Sequence, residues 1–157
     1  MLEGHHYQNA YLTRDVDKWV RHFESHTQID RLLTYEGSVI METPDGHRAI
    51  TNKIAFIWIG DLQYELIQPG PDSIPMYEAG LPDDDSLRFH HICMRVPDWN
   101  AFRAGVDRQP YPIVAEGGNE ALRFIFLDAR AFLGHFLEYT CMTDERWTQI
   151  GGTLPQA

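Results

Sequence analysis

Four polar residues stand where two repeated segments begin and end. Gln8 opens the run Gln8-Asn-Ala-Tyr-Leu-Thr-Arg-Asp15, and His91 opens His91-Ile-Cys-Met-Arg-Val-Pro-Asp98. In each run an Asp follows seven positions after the first residue and precedes a helical pattern. Each half then closes on a strand-like run carrying a glutamate, Tyr64-Glu65-Leu66-Ile67 and Leu137-Glu138-Tyr139-Thr140. One imidazole, two carboxylates and an amide oxygen form a mixed nitrogen and oxygen donor set. Such a set suits a borderline or hard divalent ion, Zn, Ni, Co, Mn or Fe, with waters completing the shell. The ion would act as a Lewis acid on a carbonyl oxygen while a glutamate moves a proton at the adjacent carbon.

Each of these residues has a plainer reading. His91 is then a satisfied core histidine, the glutamates face solvent from edge strands, and Gln8 is a polar lining residue. The shared register of all four favours the site. A carboxylate flanked by Leu, Ile, Tyr and Phe on a strand is costly to bury unless it is paired or coordinated.

The elements that must position them follow from periodicity. Residues 7–13 read as a strand, and Asp15 can cap a helix over 16–26, where Val16, Trp19, Val20 and Phe23 recur at helical spacing. Residues 31–42 are extended, Pro44-Asp45-Gly46 is a turn, and 48–59 and 62–68 are strands. The second half repeats the order: strand 89–96, helix 98–107 capped by Asp98, and strands 111–116, 121–128 and 133–142. The expected fold is α+β, one domain over 1–157: module one about 5–68, a proline-rich linker about 69–86, module two about 87–142, and a tail 143–157. A short helix is expected near 74–79, and Asp83-Asp84-Asp85 reads as a solvated turn. The tail reads as either a docked helix or a partner contact.

Strand parity tests which side chains share a surface. It places His6 with Gln8, Gln63 and Ile67 with Glu65, Phe136 and Thr140 with Glu138, and Phe89, Cys93 and Arg95 with His91. Arg95 and Cys93 are therefore the expected substrate contacts, Arg95 for a carboxylate or phosphate. A salt bridge to the acidic linker is its alternative. Cys93 has no basic group to activate it and reads equally as a packing residue. Cys141 falls on the opposite face, which argues against a Cys93–Cys141 disulfide. His22 and His26 lie i,i+4 on a helix without a third ligand and read as a solvated face.

Composition excludes several classes. The chain has 157 residues, 43% of them hydrophobic, and a net charge of −10. That balance opposes a nucleic-acid or anionic-membrane partner, both of which ask for a basic face. No run approaches a membrane span of about 20 apolar residues. The N-terminal residues lack a basic segment followed by an apolar one, and the two cysteines lie apart. The expectation is a cytoplasmic protein with a small-molecule substrate.

The stretches YQNAYLTRDVDKW, YELIQP, FHHICMRVPD and LGHFLEYT, spread over residues 7–142, resemble the vicinal oxygen chelate superfamily. This group contains glyoxalases, bleomycin-resistance proteins and extradiol dioxygenases, and the resemblance is nearest its methylmalonyl-CoA epimerase-like branch. It implies two fused βαβββ modules forming a cupped half-barrel around one divalent metal. Carried onto this chain, the ligands are Gln8, Glu65, His91 and Glu138.

The implied activity is that of an isomerase, epimerase or lyase on a small carbonyl or thioester compound, through an enediolate or enolate. Glu138 is the expected base and Glu65 the second ligand or proton partner; a homodimer is expected. A metal-free binding protein of the same fold is the alternative. A ring-cleaving non-haem iron dioxygenase is a third reading and needs a second histidine, for which His6 is the candidate. The segment after the first helix, VRHFESHTQID, lacks the Phe-Tyr and Leu-Gly signature of glyoxalase I, which argues against glutathione use.

Overall fold

A computed structural model describes residues 3–154. The N-terminal reading that rests on Met1 and Leu2, and the last three residues of the tail, lie outside the described residues. Module one supplies β1 (His5–Leu12), α1 (Val16–His26), β2 (Arg31–Thr43), β3 (Gly46–Ile59) and β4 (Leu62–Pro69). The linker holds α2 (Pro75–Glu78). Module two supplies β5 (Arg88–Arg95), α3 (Trp99–Val106), β6 (Ile113–Gly118), β7 (Leu122–Leu127), α4 (Arg130–Leu133) and β8 (Phe136–Met142), and α5 (Asp144–Gln149) follows.

The paired aspartates are helix caps. Asp15 accepts from Lys18 N at 2.9 Å and Asp98 from Ala101 N at 3.0 Å, each satisfying a backbone donor the helix start leaves open. Each cap fixes where the chain leaves the first strand of its half and turns onto the sheet.

The halves share one topology. In each, the first strand runs parallel to the last and the remaining pairs are antiparallel, giving β1-β4-β3-β2 and β5-β8-β7-β6. The expected half-barrel goes further and closes into a ring of eight strands. Antiparallel β1 and β5 form one seam over seven residue pairs. At the other seam β2 meets β6 only at Met41–Gly117 and Glu42–Glu116. The contact falls near the end of β2, a strand of 13 residues that is paired with β3 along its whole length.

The helices lie outside the ring. Helix α1 covers Ala55, Ile57 and Leu66 with Trp19, Val20 and Phe23. Helix α3 lays Phe102 and Val106 on Ile125, Leu127, Leu137 and Tyr139. Full burial of a side chain such as Ile57 or Leu66 contributes about 1.5–3 kcal/mol. Strand β3 is thus covered on both faces, as its near-continuous apolar run requires.

Most element ends shift by one to three residues from the sequence reading, and two shifts, in β6 and β8, have a clear cause. Strand β6 continues through Gly117 and Gly118, so the turn begins at Asn119. Gly118 has φ +106°, and a Cβ there would collide with Leu122 O, so glycine is required inside the strand end rather than in a loop. Residues 130–133 form a helical turn ended by Gly134 at φ +80°, which delays β8 to Phe136. The described part of the tail docks as α5, with Trp147 5% exposed against Tyr7 and Trp58. The acidic turn is exposed, and Asp85 binds Lys18 at 2.8 Å. Among the described residues no helix is long and apolar enough to cross a membrane.

Candidate metal centre

The repeat is equal in register. On the parallel pair β1–β4, Gln8 stands beside Gln63 and Ala10 beside Glu65. On β5–β8, His91 stands beside Phe136 and Cys93 beside Glu138. In both halves the glutamate lies next to the residue two positions past the opening one. The seam pairs Gln8 with Cys93 and Ala10 with His91, which brings the two halves of the site together.

Glu65, His91 and Glu138 converge. Their candidate ligand atoms all lie within 4.8 Å of one another. His91 Nε2 is 3.1 Å from Glu138 Oε2 and 3.6 Å from Glu65 Oε2. The imidazole is fully buried, and the carboxylate side chains are 10% and 12% exposed for Glu65 and Glu138. Burial, and then the charge of Glu138, pushes the Glu65 carboxyl well above the usual range. Two buried carboxylates facing one imidazole demand positive charge between them, as protons or as a cation.

Two β-bulges organise the donors. Between His6–Met94 and Gln8–Cys93 the seam inserts Tyr7, and between Ala10–His91 and Tyr11–Phe89 it inserts His90. Each extra residue sits immediately before an opening residue and breaks the alternation. Tyr7 is thereby buried at the cavity wall beside Gln8, and His90 is buried against His91. The parity reading fails at these two points. His6 is exposed and contacts Asn9 Oδ1 at 2.9 Å. It is no substitute ligand, so the dioxygenase reading lacks its second histidine. Phe89 is 42% exposed and packs on Tyr11 and His135 outside the ring.

Hydrogen-bond logic then fixes which donor atom each residue presents. In module two, Met76 O can only accept, so His90 Nε2 at 3.0 Å carries the hydrogen. Burial first, then His91, lowers the His90 pKa to about 3, leaving its Nδ1 as an acceptor. His91 Nδ1, 2.8 Å away, therefore donates, and His91 Nε2 faces the carboxylates. In module one, Ile150 O accepts from Gln63 Nε2 at 3.3 Å, which turns Gln63 Oε1 toward Gln8. Gln8 Nε2 donates to it at 2.6 Å. Gln8 Oε1 is left buried without a partner.

That orphaned oxygen is what a ligand set would need. Gln8, Glu65 and Glu138 line a cavity of about 480 Å³ inside the ring, walled by Phe56, Phe124 and Phe126. The donor set of carboxylates, imidazole and a free amide oxygen fits a borderline or hard divalent ion. His90, Gln63 and the tail are the parts of this arrangement the sequence reading did not assign. The adjacent pair His90-His91 was the available signal for the first, and the shared strand face of Gln63 and Glu65 for the second.

The expected substrate contacts lie elsewhere. Cys93 is fully buried, with Sγ 3.5 Å from Tyr7 OH and 3.6 Å from Thr140 Oγ1, behind the cavity lining. Burial and then Glu138 push its thiol well above the ordinary range, so it is inert. Arg95 turns to the tail rather than the cavity or the linker. It donates to Asp144 Oδ1 at 3.2 Å and lies 4.5 Å over the Trp147 ring. Strand β5 ends at Arg95, and α5 folds back across that end.

No family model matches the sequence, and no curated protein matches it. Solved structures do match in shape. A methylmalonyl-CoA epimerase from Mycobacterium tuberculosis is 16% identical, with 92% of this chain and 95% of that one covered at a TM-score of 0.63. A variant of the Streptomyces coelicolor methylmalonyl-CoA epimerase, in complex with 2-nitronate-propionyl-CoA, is 16% identical over 90% and 96% at 0.61. A hypothetical protein from Bacillus halodurans is 17% identical over 88% and 94% at 0.61. The chain has the vicinal oxygen chelate fold. In this vicinal oxygen chelate barrel the cluster sits on β4, β5 and β8, with Gln8 on β1.

Proposed function

We propose that this chain is a divalent-metal-dependent isomerase, epimerase or lyase acting on a small carbonyl or thioester compound. The convergence of Glu65, His91 and Glu138 within 4.8 Å carries the reading. Gln8, Glu65, His91 and Glu138 would hold the ion. Once bound, the ion would polarise a carbonyl oxygen and stabilise the charge that develops on it. Glu138 accepts the proton from the carbon next to that carbonyl. Glu65, whose carboxyl burial holds high, suits the return of a proton. Phe56, Phe124 and Phe126 keep bulk water from the reacting carbon and so protect the enolate from stray protonation.

The test has two arms. Metal analysis and Mn²⁺ titration of chelated protein should show one ion per chain, lost in His91→Ala. Methylmalonyl-CoA, the ligand of one solved neighbour, serves as the first probe for α-proton exchange in deuterated water, with exchange lost in Glu138→Gln. Neither ion nor exchange would sink the reading. The apolar wall of Phe56, Phe124 and Phe126 favours a second one, a metal-free binding protein, which predicts ligand uptake without either.

A further inference from the structure

One cation lines the cavity. Arg146, on α5, is the only lysine or arginine among the described lining residues. It is half-buried and has no carboxylate within 4.0 Å among the described residues. Among the described residues its guanidinium makes one hydrogen bond, a long one, from Nη1 to Gln149 Oε1 at 3.4 Å.

Its position is built rather than incidental. Thr143 caps α5 by accepting from Arg146 N at 3.1 Å. Trp58 Nε1 donates to Ile150 O at 2.6 Å, which fastens the end of the helix to β3.

Charge balance decides what this cation is for. Two carboxylates and a divalent ion cancel. The loaded cluster then has no net charge with which to hold an anionic group, and Arg146 is the lysine or arginine among the described lining residues that can supply it. We propose that Arg146 binds an acid group of the substrate, a carboxylate or a phosphate, while the carbonyl end lies at the Glu65–His91–Glu138 cluster. This rests on the carbonyl-compound reading of the site. It makes α5, which lies outside both repeated modules, a determinant of specificity. A bidentate guanidinium contact aligns such a ligand as well as neutralising it.

Paired probes test it on Mn²⁺-loaded protein. Succinomonohydroxamic acid carries a metal-binding head and a carboxylate tail; butyrohydroxamic acid has the same chain length without the carboxylate. The intact protein should prefer the first by about tenfold or more, the effect of one charge-assisted hydrogen bond. Arg146→Met should abolish the preference and leave Mn²⁺ affinity unchanged, and Arg146→Lys should restore part of it. A phosphate-tailed hydroxamate compared with the carboxylate one separates the two acid sources. Loaded protein that binds both hydroxamates equally overturns the proposal and leaves the metal reading intact. If Mn²⁺ does not load, the metal reading fails. Butyrate against butyramide on metal-free protein then decides: a preference for butyrate lost in Arg146→Met supports the acid subsite, and equal binding overturns it.

Discussion

The two halves of the barrel reach the same place by different chemistry. On β1 an amide oxygen is presented, and on β5 an imidazole nitrogen. Each is set by one neighbouring side chain, and that neighbour is set by one backbone carbonyl. The chains are Gln8–Gln63–Ile150 O and His91–His90–Met76 O. Neither carbonyl belongs to a repeated strand: Ile150 follows α5 and Met76 lies in α2. The register is shared, while the side chains answer to whatever non-repeated segment packs beside them. The halves teach that position in the repeat decides where a donor sits, and the flanking segments decide which atom it shows.

Making the halves alike is the strongest way to break this comparison. His91→Gln should reduce Mn²⁺ affinity by more than the roughly 10–100-fold typical of an outer partner, because a ligand itself is lost. Gln8→His should do the reverse and shift preference from Mn²⁺ toward Ni²⁺ and Zn²⁺, since imidazole is the softer donor. Competitive titration of both variants reads the result. Unchanged selectivity in Gln8→His would place Gln8 outside the ligand set.

The outer partners come next. Gln63→Leu and His90→Phe should each weaken metal binding by about 10–100-fold by freeing the donor they orient. Calorimetry on the two variants compares the halves directly. An effect from His90 alone would mean that Gln8 is only a lining amide.

A smaller effect is expected in pH dependence. The Glu65 carboxyl is raised in the folded chain, so between its unfolded and folded pKa the native state holds the extra proton. Stability of metal-free protein should therefore fall as pH rises through the folded value. Glu65→Gln should flatten that slope in urea melts. Metal-loaded protein should show the opposite slope, because its ligands must give up protons to bind.

The smallest effect concerns the thiols. Cys93 is fully buried beneath Tyr7 and Thr140, whereas Cys141 is half-buried. A thiol reagent at pH 8 should modify Cys141 alone in native protein and both residues after unfolding. Rapid modification of Cys93 would show that the wall behind Glu138 is looser than its packing implies.

Much of this was legible in the sequence. Asp15 and Asp98 announced two equivalent helix starts, and Glu65 and Glu138 stood out as carboxylates within apolar strands. Parity was right for Gln63 and Thr140 because those strands are regular, and wrong for His6 and Phe89 because a single inserted residue reverses every side chain beyond it. Nothing in the composition near Tyr7 or His90 marks a bulge. Arg95 and Arg146 were not separable by pattern either. Which of them faces the cavity depends on α5 folding back, and the anchors are backbone carbonyls that carry no side-chain signature.

The narrow seam between β2 and β6 has its own consequence. The wall is a ring in topology and a clasp in mechanics: two residue pairs hold one side, seven hold the other. Parting the clasp sacrifices few rungs and moves strands that carry none of Gln8, Glu65, His91 or Glu138. All four donor residues hang instead from β1, β4, β5 and β8, the strands that form or flank the long seam, so the site is framed by the more extensively paired side of the ring.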